Sequence, residues 1–75
     1  MGKVNIHIGK EIREELLRQG RSALWLSQQL GCNRTNIYNI FIRDSISTGL
    51  LFQISVALQK DFFALYTRAF KKASK

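Results

Sequence analysis

Apolar residues in this chain recur at helical spacing in short runs, and two glycines cut the runs apart. Ile8, Ile12 and Leu16 fall at i, i+4 and i+8 ahead of Gly20, while Ala23, Leu26, Ser27 and Leu30 make a second face ahead of Gly31. A glycine just past an apolar-periodic run ends a helix, because the left-handed backbone there suits a residue without Cβ. Proline is absent, so nothing breaks the runs internally. The pattern predicts a chain of short helices rather than strands or one long helix.

The first helix is expected from about Gly9 to Gln19, with Leu17 widening its buried stripe and Glu14 and Arg18 pairing at i,i+4 on the far side. Lys3 to Ile8 alternate loosely and read as an extended lead-in. The second helix runs from Ala23 to Leu30 with Ser22 as N-cap, since its hydroxyl accepts an orphan backbone N–H; Ser27 is small enough to let another helix approach. The third runs from Arg34 to Ile42, capped by Asn33. Its Ile37, Ile40 and Phe41 point inward, which leaves Arg34, Thr35, Tyr38, Asn39 and Ile42 outward. A loop from Arg43 to Ser47 leads to a fourth helix, starting near Thr48 behind Ser47 or Thr48 as cap. Its core stripe is Leu50, Leu51, Ile54, Ala57 and Leu58, and Phe52 and Val56 form a pair on another face. Asp61 then caps a fifth helix carrying Phe62, Phe63, Leu65, Tyr66 and Phe70, and the end from Lys71 frays.

Composition bounds the class. Seventy-five residues make one domain with a small core, about 8–66, between an N-terminal arm (1–7) and a basic tail (71–75). A single Cys allows no internal disulfide, and one Cys with one His makes no metal site. The expectation is an intracellular protein in a reducing compartment. No apolar run approaches the ~20 residues of a membrane span, and the start MGKVNIHIGK lacks the apolar stretch of a signal peptide. No enzyme chemistry is legible: there is no His–carboxylate pair, no phosphate-binding glycine loop and no nucleophile beside a base. Neither a cofactor nor a small-molecule ligand is expected.

Charge points to the partner. Twelve Lys and Arg against five Asp and Glu give +7. Glu11, Glu14 and Glu15 gather early, then no acid occurs from Leu16 to Arg43 or from Phe62 to Lys75. Such a balance suits an acidic partner, nucleic acid first. A soluble basic surface is the plainer reading, which an acid-free basic stretch of this length weakens.

Ser22 to Ile42 concentrates the functional signal: two short helices joined by the tight turn Gly31-Cys32-Asn33, with Cys32 small enough to tuck between them. That is the arrangement of a helix-turn-helix, which offers its second helix to the DNA major groove. With Leu26-Ser27, Leu30-Gly31, Ile37 and Ile40 at matching spacing, the chain resembles the lambda-repressor-like DNA-binding domains of the Cro and Xre type. The likeness runs from about Ile8 to Tyr66. GRSALWLSQQLGCNRTNIYNIF and KDFFALY look closest to stand-alone bacterial members. Ala23 differs, standing where many members carry a DNA-contacting Gln, and the stretch Phe41-Ile42-Arg43-Asp44 departs from the usual acidic residue and Gly.

The resemblance implies an all-α, five-helix fold and sequence-specific binding of double-stranded DNA, as a transcriptional regulator working at the nucleoid in the cytoplasm. Base contacts fall to Arg34, whose fork matches guanine O6 and N7, to Asn39, which matches adenine N6 and N7, and to Thr35 and Tyr38. Phosphate contacts fall to Arg21, Ser22, Ala23, Asn33 and Arg43, with the second helix's N-terminal N–H groups among them. For each side chain the bland alternative is an ordinary solvated surface. Trp25 lies off the core stripe and reads as a core cover before a dimer seam or DNA flank. His7 reads as a surface residue, Cys32 as a buried filler, and the basic tail as a non-specific attraction for DNA. The aromatic residues exceed what so small a core holds. Phe52, Val56, Phe63 and Phe70 are therefore candidates for a homodimer interface. Two rival readings remain: the same fold as a protein–protein interaction module, antitoxin-like or an assembly partner, and an amphipathic membrane-surface anchor in the fifth helix.

Overall fold

A computed structural model describes residues 5–74, and these form five helices with no strand among the described residues: α1 (Ile8–Gln19), α2 (Ala23–Leu30), α3 (Arg34–Phe41), α4 (Thr48–Leu58) and α5 (Phe63–Ala73). Of the expected extended lead-in and N-terminal arm, residues 1–4 lie outside the described residues, as does Lys75 of the tail.

The joints follow local chemistry. Gly20 and Gly31 both take the left-handed conformation at φ 69° and 70°. The N–H groups of Arg21 and Cys32 then donate to the Leu16 and Ser27 carbonyls, which would otherwise be orphaned at the helix ends. Ser22 and Ser47 cap α2 and α4, their hydroxyls accepting from the N–H groups of Trp25 and Leu50. α4 closes on Gln59, which is left-handed at φ 54° without being glycine.

The core joins α1 through Ile8, Ile12 and Leu16, α2 through Leu26, α3 through Ile37 and Ile40, and α4 through Leu51, Ile54 and Leu58, with Phe62 completing it. α3 packs on both α1 and α2, and α2 also packs on α4. Ala23, Leu30, Phe41, Leu50 and Ala57 are half-buried around that centre, and so is Cys32. Ser27 is buried, its hydroxyl donating to the Leu24 carbonyl at 2.7 Å, so its smallness costs no unpaired polar atom.

One seam is made by backbone. The first N–H groups of α1 have no partner in their own helix. Those of Ile8 and Gly9 donate instead to the carbonyls of Asp44 and Arg43, at 3.2 and 2.9 Å, just beyond the end of α3. The approach is so close that a Cβ on Gly9 would collide with the Ile40 and Phe41 carbonyls.

Several sequence expectations are corrected. Leu17 is exposed and does not widen the α1 stripe. At ~100° per residue it falls about 100° beyond Leu16 and opposite Ile8, whereas Glu15 falls about 20° from Ile8, at the other edge of the buried stripe. Arg18 pairs with Glu15 rather than Glu14. Glu15 is buried and also accepts from Gln19 Nε2, which donates on to the Leu58 carbonyl. α3 ends at Phe41, with Ile42 as its C-cap, and Asn33 stands at the N-cap without a side-chain bond. Asp61 does not cap α5. The cap position belongs to Phe62, already in helical conformation, because a wholly buried Phe62 draws that turn into the core. The chain does not fray at Lys71, since α5 continues to Ala73 with Lys71 and Lys72 in its last turn, where cations complement the helix dipole. His7 is more than a surface residue: its Nδ1 accepts from the Lys10 N–H and caps α1.

Candidate nucleic-acid interface

α3 holds the candidate base-contacting residues in place through its opposite face. With Ile37 and Ile40 locked into the core, helical geometry turns Arg34, Thr35, Tyr38 and Asn39 outward, and all four are exposed. Tyr38 meets Phe41 edge to face, the ring centres 6.1 Å apart, which fixes the phenol on the helix surface.

The four do not form one cluster. Asn39 turns toward α4, where with Asn36, Arg43 and Gln53 it rims a groove of about 330 Å³ floored in part by Cys32 and Ile40. Arg34 and Tyr38 lie one turn apart outside that groove. Asn36 and Gln53 are polar neighbours of Asn39 that the sequence pattern did not single out. Gln53 belongs to α4, so only the packing of α4 reveals it.

Of the candidate phosphate contacts, Arg21 is exposed and its guanidinium lies over the Trp25 ring, 4.1 Å from the centre. Trp25 itself is half-buried against the core edge, and its ring steadies the Arg21 cation. The Ser22 hydroxyl is committed to Trp25 N–H. Ala23 is half-buried against the core, so its offer to a ligand is its backbone N–H rather than its methyl. Asn33 is exposed with a carboxamide that caps nothing. Arg43 is exposed at the groove, while its carbonyl holds Gly9.

The electrostatics follow from where the acids went. Among the described residues the ion pair is Arg18 with Glu15, so Arg21, Arg34 and Arg43 keep their charge unneutralised. Glu15 lies in the core network, its pKa lowered to about 2 first by the Arg18 hydrogen bonds, against the opposing effect of burial. Asp44 is exposed beyond α3, where its charge adds to burial in raising the Tyr66 phenol. No family model matches the chain, and no curated protein or solved structure matches it. The chemistry therefore stands on the residues themselves: a helix face of hydrogen-bonding and cationic groups with no carboxylate on it.

The candidate dimer residues divide. Phe52 and Val56 are exposed and border a groove that the half-buried Phe63 also lines. Phe70 is exposed on α5, two turns beyond Phe63. Among the described residues no group of His, Cys, Asp or Glu could hold a metal ion, and no helix is long and apolar enough to cross a membrane.

Proposed function

We propose that the protein binds double-stranded DNA sequence-specifically through a helix-turn-helix made of α2 and α3, as a transcriptional regulator at the nucleoid. The outward face of α3 carries this reading: Arg34, Thr35, Tyr38 and Asn39 are exposed, and no acid occurs from Leu16 to Arg43. α3 lies along the major groove, its first turn setting Arg34 and Thr35 against base edges. Arg21, Arg43 and the N–H groups opening α2 hold the flanking phosphates. Exposed Phe52, Val56 and Phe70 pair two copies, which sets two recognition helices about 34 Å apart on a pseudo-palindromic site.

Selection from a random duplex library near physiological salt tests this. An enriched palindrome with two half-sites is expected. A single enriched half-site would remove the dimer and keep the DNA reading. Binding without enrichment, fading evenly as salt rises, would overturn sequence-specific recognition and favour the same fold as a protein-interaction module, for which the exposed Phe52, Val56 and Phe70 would be the surface.

A further inference from the structure

The side chain of Ile42 takes no part in the core. It is the C-cap of α3 and 76 % exposed, more than any other large apolar side chain among the described residues. Its cap conformation is right-handed helical, so it continues the register of α3. At ~100° per residue Ile42 falls between Tyr38 and Thr35, on the outward stripe and opposite Ile37 and Ile40. The branched apolar side chain thus stands in the middle of a face whose other members are hydrogen-bonding or charged.

A protein partner would cover an exposed Ile with further apolar surface, but its immediate neighbours on this face are Arg34, Thr35, Tyr38 and Asn39. A duplex offers a different match. Its major-groove edge is polar and acidic at its margins, and it presents one kind of apolar group there, the C5-methyl of a pyrimidine. Resting on the DNA-binding reading above, we infer that Ile42 is a specificity-determining residue that selects a pyrimidine C5-methyl, that of thymine, in the bound site. The side chain lies eight residues beyond Arg34, so along a rise of ~1.5 Å per residue it meets a base about three to four pairs from the one Arg34 reads.

The test removes the two apolar partners separately. The site enriched from the random library is resynthesised with uracil replacing thymine one position at a time, which deletes only the methyl. Dissociation constants are measured for the wild type and for Ile42→Ala; circular dichroism checks that the variant keeps its helicity. For the wild type, one uracil, about three to four pairs from the Arg34-sensitive base, is expected to weaken binding about three- to tenfold, the effect of one lost methyl contact and the packing around it. Ile42→Ala should bind the thymine duplex more weakly by a similar factor and show little further loss with that uracil. Placing 5-methylcytosine, paired with guanine, at that position distinguishes the two sources of the methyl: weaker binding than thymine supports thymine, and equal binding would overturn the choice of base while keeping the methyl. A wild type indifferent to uracil everywhere, or an Ile42→Ala variant that keeps the full uracil penalty, would overturn the inference and leave sequence-specific binding intact. Failure to enrich any site would overturn both.

Discussion

Glu15 is buried against a core of Ile, Leu and Phe, and it stays ionised because Arg18 and Gln19 both donate to it. Its pKa falls from an ordinary 4.5 to about 2, so the folded state prefers the carboxylate. The stabilisation is fully present above pH 4.5 and drains away as pH falls toward 2. Glu15→Gln is expected to cost about 1–3 kcal/mol at neutral pH and to flatten the fall in stability across that acid window, measured by urea unfolding at a series of pH values. Helical spacing puts Glu15 beside Ile8, but its partners were not legible in sequence: Glu14 and Glu15 both lie within about a turn of Arg18, and the Gln19 that also donates to Glu15 is anchored by the Leu58 carbonyl of a distant helix. Arg34 presents the opposite case, since the inward pull of Ile37 and Ile40 placed it outward from spacing alone. Arg34→Ala is expected to cost about 1–3 kcal/mol on the selected site and to relax preference at one base pair, read by binding to single-substituted duplexes. An equal loss on every sequence would mark a phosphate contact.

Four of the five helices have ends close to those expected, because their caps act within a few residues: Gly20 and Gly31 behind, Ser22 and Ser47 in front. α5 also starts within one residue of the expected place, but behind a wholly buried Phe62 rather than a capping Asp61, and it runs on to Ala73, past the fraying expected from Lys71. Two substitutions separate these situations. Ser22→Ala removes a working cap and is expected to lower stability by about 1 kcal/mol. Asp61→Ala removes an exposed carboxylate that caps nothing and should change stability by less than about 0.5 kcal/mol. Thermal or urea unfolding of the two variants side by side checks both. α4 shows a further gap in the sequence signal, for it closes in the left-handed conformation on Gln59, where no glycine announces the joint.

At the scale of the molecule, the acids are either engaged inside or displaced from the α3 face, and the arginines stay outside. This arrangement favours a partially screened attraction to a polyanion, so binding should weaken linearly in the logarithm of salt. Arg21→Ala and Arg43→Ala are each expected to reduce that slope by about 1 while leaving the preferred sequence unchanged. The candidate interface was readable as a face but not as neighbourhoods. Helical spacing says which residues point outward from α3, whereas the grouping of Asn39 with Arg43 and Gln53 depends on where α4 lands.

The backbone seam at Gly9 has a consequence for how this sequence can vary. Most of the core is side chain against side chain, where a lineage can exchange Ile for Leu or Val and repack. At position 9 the neighbours are main-chain carbonyls, which no substitution elsewhere can trim. In a pool of randomised variants selected for folding, the core positions should return a family of apolar residues and position 9 glycine alone. Gly9→Ala, one methyl group, should therefore be costlier than many larger changes, about 1–3 kcal/mol or more by chemical unfolding. Because the carbonyls it presses on close the presented helix, such a variant would also tilt α3 and be felt at Arg34, far from the change itself.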